Sequence, residues 1–172
     1  MRLIVLALAL FAAACVQSPV YRLSDDPLPV ADIEQSRYLG FWHEQARLPN
    51  SFERGCVRAT AEYALREDGL ISVVNTCIDA RGERRVANGR ARPAGDASEG
   101  KLKVSFFGPF WGDYWVLDRG DNYEWSIVGE PSGRYLWLLT REQTLTTVER
   151  AAFEQRISAL GYRPADMEWA AQ

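Results

Sequence analysis

Apolar and polar residues alternate with a period of two along most of the chain beyond residue 40. Residues 56–65 are the clearest case: Val57, Ala59, Ala61 and Tyr63 fall on one face, and Arg58, Thr60 and Glu62 on the other. That pattern predicts a strand with one face turned to an interior. Further strands are predicted over 41–48, 70–79, 83–92, 101–106, 114–117, 123–128 and 135–140. Turn-forming residues separate them, among them Pro49-Asn50, Gly69, Gly82 and the run 129–133 with Pro131 and Gly133. Short strands joined by hairpin-length connections predict an all-β, eight-stranded antiparallel up-and-down meander. Closing it into a barrel removes its exposed edges.

The period changes to that of a helix after residue 145. Thr146 and Glu149 are spaced as a capping box, Val148, Ala152, Phe153, Ile157 and Leu160 form an apolar stripe, and Gly161 is placed to end the helix. One C-terminal α-helix packed on the barrel flank is expected. Residues 32–38 are expected to make a short helical turn before the first strand.

The N-terminus follows a different logic. Met1-Arg2 is followed by an unbroken apolar run to Ala14, too short to cross a bilayer core that needs about 20 residues. A charged start, a short apolar stretch and small residues before a cut describe a secretory signal over residues 1–14. Cys15 comes next, and the stretch 11–15 resembles a bacterial lipobox, in which the cysteine is acylated and becomes the new N-terminus. Ala12 stands where that pattern prefers Leu, and an ordinary signal with an incidental cysteine is the alternative. Val16, rather than Asp, after the cysteine resembles the sorting signal for the outer membrane. Residues 15–31 carry Pro19, Pro27 and Pro29 and are expected to form a lipidated N-terminus and flexible tether, leaving 32–172 as the folded domain.

Export changes the reading of the other two cysteines. Cys56 and Cys77 form an even pair in an oxidising compartment, so a disulfide is expected, with two unpaired buried thiols as the alternative. A turn centred between Arg66 and Glu67 would set them directly opposite each other on neighbouring strands. A bulge at Gly69 would shift that register by one residue.

Composition narrows the function. The chain is 47% hydrophobic and 25% charged with a net charge of −3, and no basic stripe supports nucleic-acid binding. Six Trp, seven Tyr and seven Phe need a place to be buried. His43 is the single histidine, so no metal site of the usual ligands is expected, and alternation sets it on the opposite face from Trp42. Glu44, Glu62, Asp113 and Asp118 are read as solvated surface carboxylates. Nothing singles out two of them as a catalytic pair.

The positive signal is an apolar inner face. Alternation nominates Val57, Ala59, Ala61, Tyr63, Val104, Phe106, Tyr114, Val116, Ser126, Val128, Trp137 and Leu139 as its lining. Such a lining favours an acyl chain, at roughly 0.8 kcal/mol for each CH₂ buried. Tyr63, Tyr114 and Ser126 are the candidates for holding a headgroup by hydrogen bonds. For any one of these residues, plain core packing is an equal reading.

An ordered set of motifs carries a family resemblance. Gly40-Phe41-Trp42 opens the first strand, within the longer run 37–47. Residues 51–55, 101–109 and 135–141 follow in order. Together they resemble the bacterial outer-membrane lipocalins, relatives of apolipoprotein D and the plant temperature-induced lipocalins. The resemblance implies that Trp42 and Arg141 close the barrel floor as a structural pair. It also places an Asp before the seventh strand; here Tyr123 matches but Gly120 takes the Asp position, leaving Asp118 or Asp121 to substitute.

The implied function is non-enzymatic. It is storage or transport of fatty acids or lysophospholipids by a protein anchored to the outer membrane, barrel facing the periplasm, without a cofactor. A homodimer stays open. The alternatives are a lipocalin-fold enzyme acting on a lipid or isoprenoid, which would need two convergent ionisable groups inside the barrel, and a partner-binding lipoprotein whose barrel is filled by its own side chains.

Overall fold

The computed structural model describes residues 19–171; the expected signal, residues 1–14, and Cys15 lie outside them. A single helical turn, α1 (Gln35–Tyr38), leads into eight strands: β1 (Gly40–Arg47), β2 (Cys56–Leu65), β3 (Ile71–Asp79), β4 (Arg84–Pro93), β5 (Lys101–Ser105), β6 (Gly112–Arg119), β7 (Trp125–Gly129) and β8 (Leu136–Thr140). Each pairs antiparallel with the next, and β1 pairs with both β2 and β8, which closes the barrel. The helix α2 (Thr147–Ala159) follows, and a two-residue strand, β9 (Glu168–Trp169), adds to β1 at Ala46 and Arg47.

The ends of the barrel differ. α1 and the turns 66–70, 94–100 and 120–124 lie at one end, the floor. The loops 48–55, 80–83, 106–111 and 130–135 lie at the other, the mouth.

Two bulges near the mouth decide which side chains face inward. Gln45 is an extra residue of β1 relative to β8, between the pairs Glu44↔Leu139 and Ala46↔Leu138. It is held there by its side-chain amide, which donates to Thr140 Oγ1 at 2.7 Å and to the carbonyls of Glu142 and Gln143 at 3.0 Å. A bulge inverts the alternation. Glu44, ahead of the bulge, shares the inner face of Trp42, and the inversion then turns Ala46 outward and Arg47 inward. Val57 is the extra residue in β2, between Cys56↔Asp79 and Arg58↔Ile78.

The bulge at Val57 also explains the disulfide. Cys56 and Cys77 are bonded, with Cα atoms 5.4 Å apart, but they are not direct cross-strand partners: Cys77 pairs with Ala59. The expected turn centre between Arg66 and Glu67 moves to Asp68. Leu65 pairs with Ile71, Arg66 N–H donates to the Leu70 carbonyl at 2.8 Å, and Gly69 takes φ +79°, the geometry of a longer hairpin loop ending in a left-handed residue. The bulge then returns Cys56 to the inner face, where Cys77 lies.

Apolar side chains divide between the two sides of the wall. Inside, Trp42, Ala61, Tyr63, Val73, Ala91, Leu102, Val116, Val128 and Leu139 form one cluster with Ile33, Tyr38, Ile71 and Tyr123 at the floor. Outside, Ala46, Leu48, Leu117, Ile127, Leu136 and Leu138 meet Phe153, Ile157 and Leu160 of α2, with Tyr162 and Met167. The capping box at Thr146 and Glu149 is present. The stripe on α2 is narrower than its periodicity suggests, since Val148 is 80% exposed and Ala152 is also exposed. The helix meets the wall along one line of residues.

Residues 21–31, expected as part of a flexible tether, are instead bound along the wall. Tyr21 and Arg22 N–H donate to the Gly133 carbonyl at 3.0 and 3.2 Å, Leu23 N–H to Gly161 at 2.8 Å, and Ala31 N–H to Val116 at 2.9 Å. Further on, Asp32 bridges to Glu99, which confines the expected helical turn over 32–38 to α1. Among the described residues no helix is long and apolar enough to cross a membrane.

Candidate binding interior

The floor is built around Trp42. Its indole is fully buried, and its Nε1 donates to the Tyr38 carbonyl at 2.9 Å, tying β1 to α1. The Arg141 guanidinium lies 3.6 Å from the ring centroid and donates to the carbonyls of Phe41 (2.7 Å), Leu39 (2.9 Å), Arg37 (3.0 Å), Tyr38 (3.2 Å) and Tyr123 (3.2 Å). A planar fork with a fixed charge suits this work: one face stacks while the edges donate.

Gly120 stands at the position of the expected Asp before β7, with Asp118 and Asp121 to either side of it. Asp118 accepts from Arg156 of α2 at 2.8 Å. It is the Glu124 carboxyl that folds over Gly120, where any Cβ would collide with it, and it accepts from Asn122 N–H at 3.1 Å. Tyr123, at φ +60°, accepts from Glu34 N–H on its hydroxyl at 2.7 Å.

Above the floor stands a group of hydroxyls. Tyr38 meets Tyr114 at 2.8 Å and Ser126 at 3.1 Å, and Tyr114 meets Tyr63 at 3.1 Å. Burial pushes the Tyr38 hydroxyl up to about 12, against the lowering effect of Ser126 and Tyr114, and it drives Tyr63 and Tyr114 up as well. All three stay protonated, so the group offers donors and acceptors without charge.

A second polar group lies higher, under the mouth, where the bulge at Gln45 has turned Arg47 to the inner face that Glu44 already shares with Trp42. Arg47 Nη1 donates to Glu44 Oε1 at 2.8 Å, and Nη2 reaches Glu168 at 2.9 Å and the Cys56 carbonyl at 2.9 Å. Glu53 enters from the β1–β2 loop: its carboxylate accepts from Trp137 Nε1 at 3.0 Å and from the Asn50 amide, while its own N–H donates to Asn50 Oδ1 at 2.8 Å. Glu44 is 7% exposed and Arg47 5%. Burial, then the adjacent Glu53 carboxyl, hold Glu44 well above the usual carboxylate range, with Arg47 pulling the other way. Both facts fit a protonated Glu44 that donates to Glu53 while its carbonyl oxygen accepts from Arg47. Burial alone would lower Arg47, but Glu44, Glu53 and Glu168 outweigh it and keep the guanidinium charged.

Among the described residues, two interior polar atoms have no hydrogen-bond partner: Arg47 Nε, which lies 4.0 Å from Glu53 Oε2, and Asn75 Oδ1. Asn75 shares the inward face of β3 with Val73 and lies opposite Ala61 and Ala87. A buried donor or acceptor left unmet costs about 1–3 kcal/mol, which a polar group of a bound molecule would recover.

Of the residues nominated from alternation, Ala61, Tyr63, Val104, Phe106, Tyr114, Val116, Val128, Trp137 and Leu139 belong to the inner cluster or pack against it, and Ser126 joins it through Tyr38. Gly89 leaves the space that the Phe106 ring occupies. Ala59 lies between Glu44 and Cys77, at the level of the upper polar group. Val57 is displaced by its bulge into an outer groove with Arg58, Ile78 and Ala171. His43 packs edge-on against Phe41, at 4.9 Å, on the outer face. Glu44 is not the solvated carboxylate expected from composition. With Glu53 it forms the convergent pair that sequence reasoning did not name. Its position two residues after Trp42 was the available signal, because that spacing alone puts it inside.

A lipocalin-like domain model matches residues 33–172. The chain is 48% identical over 132 residues to the outer membrane lipoprotein Blc of Vibrio cholerae, covering 75% of each sequence. It is 36% identical over 140 residues to the temperature-induced lipocalin-1 of Arabidopsis thaliana, covering 73% of this chain and 75% of that one. The chain is a lipocalin. Its barrel also superposes on insecticyanin from the tobacco hornworm with a TM-score of 0.69 at 24% identity, covering 88% and 87% of the two chains, a likeness of fold. In this lipocalin the floor, the hydroxyl group and the carboxyl–guanidinium group form three successive levels from closed end to mouth.

Proposed function

We propose that this lipocalin is a carrier rather than an enzyme, anchored to the outer membrane through an acylated Cys15 with its barrel in the periplasm, and that it holds a fatty acid or lysophospholipid. The observation that carries the reading is the layered interior: an apolar lining around Val128 and Leu139, with polar atoms of Asn75 and Arg47 above the floor that no protein group hydrogen-bonds. The lining suits an acyl chain, and the group under the mouth suits a headgroup. The name of the Vibrio cholerae relative, an outer membrane lipoprotein, supports the location. The signal over residues 1–14 and the cysteine behind it agree.

The Glu44–Glu53 pair meets the geometric condition for the enzymatic alternative. Both carboxyls, however, are committed to partners within the protein, Arg47, Asn50 and Trp137, which favours a static, headgroup-facing role. Native mass spectrometry of the gently extracted protein is expected to find one copurified single-chain lipid, and added fatty acid to quench tryptophan fluorescence. Absence of both would overturn the carrier reading. Intact mass of the extracted protein would show the acyl groups on Cys15, and an unmodified cysteine would overturn the anchor.

A further inference from the structure

The mouth carries large apolar side chains in the open. Phe107 and Phe110 in the β5–β6 loop are 79% and 76% exposed, and Phe52 in the β1–β2 loop is 59% exposed. Phe52 is backed by Tyr135 and Trp137, with ring centroids 5.5 and 6.2 Å away, so it stands on a firm base. Exposed aromatic rings grouped at one end of a soluble barrel mark a surface that is covered in use.

Charge distinguishes the two ends. The floor turns 66–70, 94–100 and 120–124 hold six acidic residues (Glu67, Asp68, Asp96, Glu99, Asp121 and Glu124) against Arg66, and with Arg37 of α1 and Arg141 counted the floor keeps an acidic excess of three. The mouth loops balance Glu53, Glu83 and Glu130 with Arg54, Arg81 and Arg134, and Arg84 and Arg85 stand beside them at the start of β4. Phe41 and Leu65 are therefore exposed at a net acidic end that an anionic lipid surface would repel, whereas the mouth is not net acidic.

The course of the N-terminal segment selects the occupant. Tyr21 and Arg22 are hydrogen-bonded to Gly133, in the mouth loop 130–135, and from there the chain runs down the wall to Ala31 and Ile33 at the floor. Arg22 lies against the bare α-carbon of Gly133, and its Nε donates to the Leu160 carbonyl at 2.9 Å, so this point is clamped. Cys15 precedes Tyr21 by six positions. Six residues reach at most about 20 Å, less than the length of an eight-residue strand, about 26 Å. A membrane anchor at Cys15 is thus leashed to the mouth, and the floor is out of its reach.

We infer that the mouth rim is a membrane-docking surface: Phe52, Phe107 and Phe110 insert at the interface of a phospholipid bilayer, so that the barrel opens directly onto the lipid to which the chain is tethered. The inference rests on the proposed function for its membrane and its anchor. It adds an orientation and a second, non-covalent contact. A lipid entering the barrel then passes from the interface to the Arg47 group without crossing open water.

The test uses exported protein carrying Cys15→Ser, which cannot be acylated, and vesicles of phosphatidylethanolamine and phosphatidylglycerol. Its result therefore does not depend on the anchor or on any lipid held in the barrel. A nitroxide on Phe110→Cys is expected to become immersed on adding vesicles, and one on Glu67→Cys to stay in water. The double variant Phe52→Ser/Phe107→Ser is expected to bind vesicles about tenfold more weakly, as partial burial of two rings implies, while Phe41→Ser/Leu65→Ser binds unchanged. A rim label that stays aqueous, equal immersion of both labels, or unchanged binding by the rim variant would each overturn the inference. So would concentration-dependent dimerisation that the rim substitutions abolish, since a second copy would then be the occupant.

Discussion

Arg141 touches Trp42 and the backbone of α1 at the same time: its guanidinium is 3.6 Å from the indole centroid while one nitrogen, Nη2, donates to three successive carbonyls, those of Arg37, Tyr38 and Leu39. One side chain thus joins β8, β1 and the entering segment. Arg141→Ala should destabilise the protein by about 2–4 kcal/mol, combining a lost stack with several carbonyls left unmet. Arg141→Lys should recover only part of this, because an ammonium cannot stack and fork together. Urea midpoints at constant m would check both.

Glu44 gives the protein a pH dependence of defined sign. Its folded pKa is raised above the unfolded value, so the native state binds more protons than the unfolded chain between the two. Stability from this group is full below the ordinary carboxylate range and is lost as pH rises towards the raised value. Glu44→Gln keeps an acceptor for Arg47 and removes the titration. Urea midpoints across that range should fall less steeply with pH in the variant than in the parent.

The Cys56–Cys77 bond closes a loop over a sequence separation of 21. Replacing both cysteines with serine should cost roughly 3 kcal/mol through the unfolded chain. The barrel should still form, since the pairing of β2 with β3 continues from Arg58 to Leu65 without the bond. Thermal unfolding followed by circular dichroism would measure the loss.

Asn75 and Ile157 should separate cargo from stability. Asn75→Leu removes an unpartnered buried acceptor and should raise stability by about 1 kcal/mol while weakening lysophospholipid uptake. Ile157→Ala, outside the wall and fully buried against it, should cost about 2–4 kcal/mol and leave uptake unchanged. Denaturant titration with tryptophan quenching on the same samples would read both.

The elements were legible in the sequence because each obeys a local rule. β2 falls at the residues its alternation indicates, and Thr146 and Glu149 make the capping box their spacing suggests. The misreadings have a shared cause. At Gln45 and Val57 one extra residue reverses the alternation, and no composition signal marks either position. Arg47 and Cys56 therefore face inward, and Val57 leaves the interior, for reasons set by pairing across strands. β9 and the wall-bound stretch 21–31 were invisible for a related reason: both are held by backbone hydrogen bonds to distant strands, which local pattern does not encode. Val148 had the right period but no neighbour to bury it.

The wall of the barrel keeps two apolar populations from touching, one around Val128 and one around Ile157. Selection can act on them separately. Substitutions in the inner set can retune which molecule fits while the outer seam holds the scaffold upright, and drift in the seam is judged by folding alone. A lineage built on this plan can exchange its cargo many times over without ever passing through an unfolded ancestor.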